Sequence, residues 1–254
     1  MKLARFNRHG DIAWGIVEDG TIYSLVGDLY GNFRRGIELG PLAEVQLLAP
    51  AEPSIIVACG LNYIGEAKKL GAAPSEEPTI FFKPVTTLVD PDGDVVYPTI
   101  SKALAHEGEL CCVIKQTARN VPESEALDYV LGYTCGNDLG LMDVYKKDGR
   151  LTRAKGFDTA SPLGPFLITD LDPHNLSIKS RINGETIQDS NTGEMIHSVE
   201  RIVSYITEFM TLRSGDIIFT GTPEGGHHPV KVGDLMEVEI EDIGILKNKV
   251  VAPR

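Results

Sequence analysis

Two carboxylates open the stretch best suited to chemistry, Ala105-His106-Glu107-Gly108-Glu109-Leu110, which continues into Cys111-Cys112-Val113-Ile114. The apolar run predicts a buried strand. Glu107 and Glu109 are two residues apart, so in an extended chain their side chains project to one face. Two like charges beside an apolar run are unfavourable unless something positive lies between them. Carboxylate oxygens suit a hard divalent ion such as Mg²⁺, Mn²⁺ or Ca²⁺. On these six residues alone, a solvated strand end with two surface glutamates is the simpler account. A third carboxylate shifts that balance. Asp138, in Asn137-Asp138 at the end of a second short strand, is a turn residue when taken alone. Together with Glu107 and Glu109 it gives three oxygen ligands, enough to hold Mg²⁺ with positions left for water or substrate. Three carboxylates on one divalent ion leave excess negative charge. Lys155, in Ala154-Lys155-Gly156-Phe157-Asp158, is placed to offset it.

The elements that must position these groups are mostly strands. Ile55 to Gly60 and Thr79 to Pro84 are β-branched or aromatic runs, and the second ends at Lys83. Glu18-Asp19-Gly20 and Asn183-Gly184-Glu185 each sit between strand-like runs and predict hairpins. The clearest helix covers Ser198 to Met210, where Val199, Ile202, Val203, Ile206, Phe209 and Met210 form one apolar stripe and Ser198 is the expected cap. A short helical stretch is expected from Ile64 to Leu70. Another is expected from Pro122 through Leu131 with Ser124 as its cap, and Tyr145 to Gly149 is expected to be a charged loop. Residues 1–50 read as a small β-rich N-terminal domain. Leu48 to Pro53 reads as a linker into a main domain over residues 51–254. Strands dominate and helices are few, so the expected class is a β-rich α+β fold.

With 254 residues the chain can bury a substantial core. A net charge of −12 disfavours nucleic acid or an anionic membrane as partner. It leaves room for an anionic small molecule, because a metal or a few lysines inverts the local field. The first residues contain no apolar signal-peptide core, which makes a cytoplasmic location the default expectation. Cys59, Cys111, Cys112 and Cys135 lie in apolar surroundings without Cys-x-x-Cys spacing, so reduced buried thiols are expected.

Several blocks, in order, resemble the fumarylacetoacetate hydrolase family. They are Gly60-Leu61-Asn62-Tyr63, Phe82-Lys83-Pro84, Glu107-Gly108-Glu109, Gly132-Tyr133-Thr134, Asn137-Asp138 and Lys155-Gly156-Phe157-Asp158. Pro162-Leu163-Gly164-Pro165, Ile182-Asn183-Gly184-Glu185, Gln188, Gly215-Asp216 and Thr220-Gly221-Thr222-Pro223 follow. The resemblance spans essentially the whole chain, and residues 172–223 are especially similar to isomerase/decarboxylase members. It implies a mixed β-roll or sandwich and a homodimer, with Mg²⁺ or Mn²⁺ at Glu107, Glu109 and Asp138. It also implies a 2-oxo acid substrate, chelated through its keto and carboxylate oxygens and activated as an enolate. Lys155 would hold the developing charge and Thr222 the substrate carboxylate, with Tyr133, Gln188 and Lys83 also expected at the substrate. Family reactions include isomerisation of dienoates, decarboxylation, and C–C hydrolysis of acylpyruvate-type β-diketo acids.

Two departures from the family pattern bear on the reaction. Relatives carry Asn-Tyr-x-x-His-Ala-x-Glu, whose His and Glu activate water. Here the stretch is Asn62-Tyr63-Ile64-Gly65-Glu66-Ala67-Lys68-Lys69, with Glu66 at the histidine position. Such a base is worth roughly 10²–10⁴-fold. Glu66 either replaces it or is an exposed helical glutamate paired with Lys69. Relatives also carry Arg-Asp-x-Gln where this chain has Met142-Asp143-Val144-Tyr145. Methionine and a phenol cannot replace a bidentate cation, so a less anionic or more apolar distal group is expected. Loss of both features also leaves open a member that binds metal and keto acid without turnover. His106 is expected to be structural, and His227-His228 to lie in a surface loop.

Overall fold

In the computed structural model, which describes residues 1–253, three sheets carry the chain. The largest has twelve strands. Its main path runs Phe33–Pro41, Thr21–Gly27, Asp11–Glu18, Lys2–Arg8, Ser161–Ile168, Val130–Asn137, Gly108–Ile114, Ile217–Phe219, Ile56–Gly60, Thr79–Lys83. Gln46–Leu48 pairs with Lys2–Arg8, and Leu88–Val89 with Ser161–Ile168. Neighbours are antiparallel except Ile217–Phe219 with Ile56–Gly60 and Leu88–Val89 with Ser161–Ile168. The strands of residues 1–50 thus extend the same sheet that holds the central strands. They also gather a cluster of their own around Phe6, Val17 and Ile22. The expected linker is packed, with Ala49 and Ala51 buried.

Alternation along the central strands explains why this sheet is buried on both faces. Leu110, Cys112 and Ile114 join one apolar cluster, while Cys111 and Val113 join another on the opposite face. The first face is covered by a five-stranded sheet in the order Glu185–Asn191, Ser177–Ile182, Leu235–Ile240, Gly244–Val251, Asp94–Val96. The helix Val199–Phe209 closes the same cluster through Val199, Ile202, Val203 and Ile206, and the Ser198 hydroxyl accepts from Arg201 N. Both expected hairpins form. Asp19-Gly20 and Asn183-Gly184 have positive φ at both turn residues, the twist that joins antiparallel strands across two residues. The fold is the β-rich α+β class expected.

Three local expectations need correction. Residues 123–129 form a 3-10 helix, and Ser124 makes no cap; Pro122 precedes the helix and Val130 already begins a strand. The expected loop at Tyr145 lies in the α-helix Met142–Asp148, stopped by Gly149 at φ 60°. The apolar run forms the expected buried strand, Gly108–Ile114, but Glu107 lies just outside it. Leu104–His106 pairs in a small third sheet with Gly140–Leu141 and His228–Pro229, and Gly108–Ile114 belongs to the large sheet. Glu107 sits at the switch between them. No helix among the described residues is long and apolar enough to cross a membrane.

Candidate active site

The switch at Glu107 is held by the neighbouring strand. Its N–H donates to Asn137 Oδ1 at 3.0 Å, and Asp138 N–H donates to the Glu107 carbonyl at 2.9 Å. Gly108 pairs with Asn137 and Glu109 with Gly136, so Asp138 leaves the end of one strand where Glu107 and Glu109 enter the next. His106 belongs to this scaffold, as expected. Its Nδ1 accepts from Asn137 Nδ2 at 2.8 Å, and burial pushes the ring down to about 3, so it is neutral.

The carboxylates of Glu107, Glu109 and Asp138 are buried, each offering an oxygen within 4.8 Å of the others. Two lysines face them. Lys155 Nζ lies 2.7 Å from Glu107 Oε2 and 2.9 Å from Asp138 Oδ2, and donates to the Asp138 carbonyl at 2.6 Å. Lys83 Nζ pairs with Asp138 Oδ1, donates to Ala160 O at 2.9 Å and lies over the Phe219 ring. Burial alone would raise the Asp138 carboxyl. The Lys155 and Lys83 ammoniums outweigh it and hold Asp138 below the usual range. Burial raises Glu109 well above the carboxylate range, and the charges of Asp138 and Glu107 add to it, against the opposing pull of Lys155 and the Gly221 N–H.

These residues fit a hard divalent cation. Glu107 Oε1 is buried without a hydrogen-bond partner, and Glu109 strongly favours its neutral form until positive charge arrives. Gly140 keeps the space open: a Cβ there would lie 3.2 Å from Glu107 Oε1 and 3.1 Å from Lys155 Cε. The donor set is all oxygen, which suits Mg²⁺ or Mn²⁺.

The trio forms the floor of a cavity of about 550 Å³. One wall is the short helix Ile64–Lys69, anchored by Asn62. That side chain donates to the carbonyls of His197 and Thr220 and accepts from His197 N–H. The next residue back, Leu61, sits at φ 52°, a conformation that leucine rarely adopts. The adjoining wall is the loop after Ile217–Phe219. Gly221, at φ 105°, donates its N–H to Glu109 Oε2 at 2.7 Å. A Cβ on Gly221 would lie 2.6 Å from Asn62 Cβ, so this close approach needs glycine.

Glu66 is buried, not exposed, and its partner lies far along the chain. His227 Nδ1 is 2.9 Å from Glu66 Oε1, and His227 Nε2 is 3.5 Å from Glu107 Oε1. A carboxylate only accepts, so Nδ1 carries the proton and Nε2 is the nitrogen nearer the trio. The hydrogen bond to Glu66 raises the His227 pKa above its ordinary value, against burial. Lys69 Nζ lies 3.5 Å from Glu66 Oε2. His227 is therefore not the surface-loop residue the sequence suggested. Two adjacent histidines in a glycine-bearing loop were the only local signal.

Of the expected substrate residues, the cavity receives Thr222 alone. Its hydroxyl donates to Gly108 O at 3.0 Å and accepts from Gln188 Nε2 at 2.9 Å. Gln188 is fully used as a clamp. Its amide donates to Thr222 and Pro223 O, and its oxygen accepts from Gly108 N–H and Ser180 Oγ, so nothing is left for a substrate. Lys83 lies beneath Asp138 with its side chain wholly enclosed. Tyr133 opens on a different cavity, shared with Met1, Lys115 and Asp170. The four cysteines are free and buried, and burial holds Cys59, Cys112 and Cys135 at about 12.

Residues 55–251 match the fumarylacetoacetate (FAA) hydrolase C-terminal family. The chain belongs to the fumarylacetoacetate hydrolase family. Residues 1–50 match a second family, Rv2993c-like, N-terminal. The solved 2-hydroxyhepta-2,4-diene-1,7-dioate isomerase from Mycobacterium marinum is 38% identical, with TM-score 0.92, over 99% of this chain and 98% of its own. Fumarylpyruvate hydrolase from Pseudomonas aeruginosa, solved in complex with Mn²⁺ and pyruvate, is 31% identical, with TM-score 0.74, over 82% of this chain and 92% of its own. Human mitochondrial oxaloacetate tautomerase FAHD2B is 38% identical over 83% of this chain and 71% of its own length. The resemblance read from the motif blocks is thus borne out. The fumarylacetoacetate hydrolase family and these relatives are enzymes, and they span an isomerase, a hydrolase and a tautomerase. Membership fixes the class of protein and leaves the reaction open.

Proposed function

We propose that the protein is a divalent-metal-dependent enzyme acting on a 2-oxo acid, by isomerisation, tautomerisation or decarboxylation. The observation that carries this reading is the convergence of Glu107, Glu109 and Asp138, crossed by Lys155, at the floor of a cavity. These three carboxylates would hold Mg²⁺ or Mn²⁺, which when bound supplies a Lewis acid toward the keto and carboxylate oxygens of the substrate. The chain's own groups do the rest. Lys155 keeps a fixed ammonium where negative charge grows as a proton leaves the carbon beside the keto group. Glu66 orients His227, and His227 Nε2 would take and return that proton, as a positioned base worth roughly 10²–10⁴-fold. Thr222 would reach the substrate carboxylate by turning its hydroxyl proton away from Gly108 O.

A second reading is C–C hydrolysis of an acylpyruvate-type acid, with the Glu66–His227 pair activating water. The same pair counts against a member that binds without turnover, since a buried carboxylate hydrogen-bonded to a partly exposed imidazole stands beside the trio. Three readouts on Mg²⁺- or Mn²⁺-loaded protein separate these readings. They are exchange of the C3 protons of oxaloacetate or pyruvate in D₂O, loss of the oxaloacetate enol absorbance, and release of pyruvate from acylpyruvates. We expect exchange or tautomerisation that a chelator stops and that falls about 10²-fold or more in His227→Gln. Pyruvate release as the main activity would select the hydrolase. Oxalate binding with none of the three activities would sink the enzyme reading. Full activity in Glu107→Gln would sink the assignment of the site.

A further inference from the structure

The cavity has two chemically different ends. Its floor holds the carboxylates and Lys155. Toward the mouth the walls are Leu61, Leu70, Phe81, Met142, Tyr145 and Leu151. Met142 and Tyr145 lie three apart on one helix and both reach the cavity. Asp143 between them is turned away, bound to Ser101 Oγ and Lys102 N–H.

Every cationic side chain that lines the cavity already has an anionic partner. Lys155 is held by Glu107 and Asp138, and Lys69 by Glu66, while the neutral His227 ring donates its Nδ1–H to Glu66. Among the described residues, no arginine lines it. A second carboxylate carried to the mouth would therefore lose water against leucine, methionine and aromatic rings and gain no counter-charge. The floor sets the same limit. With a divalent ion bound and all three carboxylates ionised, the ion and two lysine ammoniums leave the floor one excess positive charge. One substrate carboxylate neutralises that, and a second overshoots.

We propose that this cavity selects 2-oxo acids with a single carboxylate and an apolar tail of roughly four or more carbons, and discriminates against dicarboxylates of the same length. This rests on the reading of the floor as a 2-oxo acid site. It sets the protein apart from a relative whose named substrate is a dioate. The determinants are Met142, Tyr145 and Leu151. Each methylene buried against them is worth roughly fourfold in affinity.

The test is calorimetric binding to the Mn²⁺-loaded full chain, with no turnover required. The ligands are pyruvate, 2-oxohexanoate, 4-phenyl-2-oxobutanoate and the dicarboxylate 2-oxoadipate. We expect 2-oxohexanoate and 4-phenyl-2-oxobutanoate to bind at least tenfold tighter than pyruvate, and 2-oxoadipate to bind no tighter than pyruvate. Met142→Arg, at the half-buried start of its helix, should reverse the order of 2-oxohexanoate and 2-oxoadipate. A wild-type protein that binds 2-oxoadipate as well as 2-oxohexanoate overturns this proposal and leaves the 2-oxo acid reading standing. Failure of every ligand, pyruvate included, overturns that reading and this proposal with it.

Discussion

Lys83 shows how the site sets its own charge. Its ammonium is wholly enclosed, and its partners are Asp138, the Ala160 carbonyl and the face of Phe219. Burial pulls a lysine in that position below its usual range, and Asp138 pulls the other way. Lys83→Met keeps the shape and removes the charge, leaving Asp138 with Lys155 alone. Breaking a buried pair in this way costs about 3–5 kcal/mol. The variant should therefore melt well below wild type without metal. With one cation fewer against the trio, Mn²⁺ should bind more tightly, so its Mn²⁺-induced rise in Tm should exceed that of wild type. Differential scanning calorimetry with and without Mn²⁺ reads both signs, and a smaller Mn²⁺ shift in the variant would refute the charge argument. At this scale the Glu107 and Glu109 pair was legible in the sequence through its spacing of two, while Asp138, about thirty residues on, read alone as a turn residue and joined them only as a third carboxylate at a strand end. His227 was not legible. It meets Glu66 across 161 residues, and nothing local in either segment points to the other. For Lys83 and Gln188 the sequence motif marks proximity alone; the structure adds their partners, Asp138 and Ala160 O for Lys83, and Gly108 N–H, Ser180, Thr222 and Pro223 O for Gln188.

Between elements, His174 ties the 3-10 helix Pro173–Asn175 to the helix Val199–Phe209. Its Nδ1 meets Asp172 and its Nε2 meets Glu200 in the first turn. Both ring nitrogens face carboxylates, so the imidazolium is favoured. The hydrogen bond to Asp172 raises its pKa above the ordinary value, and Glu200 adds to this against partial burial. A folded-state pKa raised above the unfolded value gives stability that is complete below about pH 6.5 and is lost as pH rises through the folded value. The side chain is half exposed, so the gain is at most about 1 kcal/mol. Urea midpoints should fall between pH 6 and pH 8.5 by more in wild type than in His174→Asn, and equal slopes would contradict the tie. The amphipathic helix and the two hairpins were readable because each carries several periods or a turn that demands positive φ. The helix Met142–Asp148 was not. Seven residues hold too few turns for periodicity to register, and its start is fixed from outside by Ser101 and Lys102 bonding Asp143.

Across the whole molecule, the trio stands where the large sheet and the small three-stranded sheet meet, with Lys155 and Lys83 arriving from two further segments. An ion bound there would join the start of Gly108–Ile114 to the end of Val130–Asn137 in the middle of the fold. Unfolding would separate the three ligands, so binding adds directly to global stability. At a free concentration one hundred times Kd the gain is about 2.7 kcal/mol. In a chain of this length that corresponds to a rise in Tm of roughly 5–10 °C. Glu109→Gln separates ion binding from packing. Burial and its acidic neighbours already favour neutral Glu109 when no cation is present, and a glutamine oxygen can still accept from Gly221 N–H. The variant should therefore melt within a few degrees of metal-free wild type, or above it. It should lose most of the Mn²⁺-dependent rise, because an amide is a far weaker ligand for a hard cation than a carboxylate. A variant that melts far below metal-free wild type would mean that ionised Glu109 is part of what holds the sheets together. One that keeps the full rise would mean that the ion binds somewhere else.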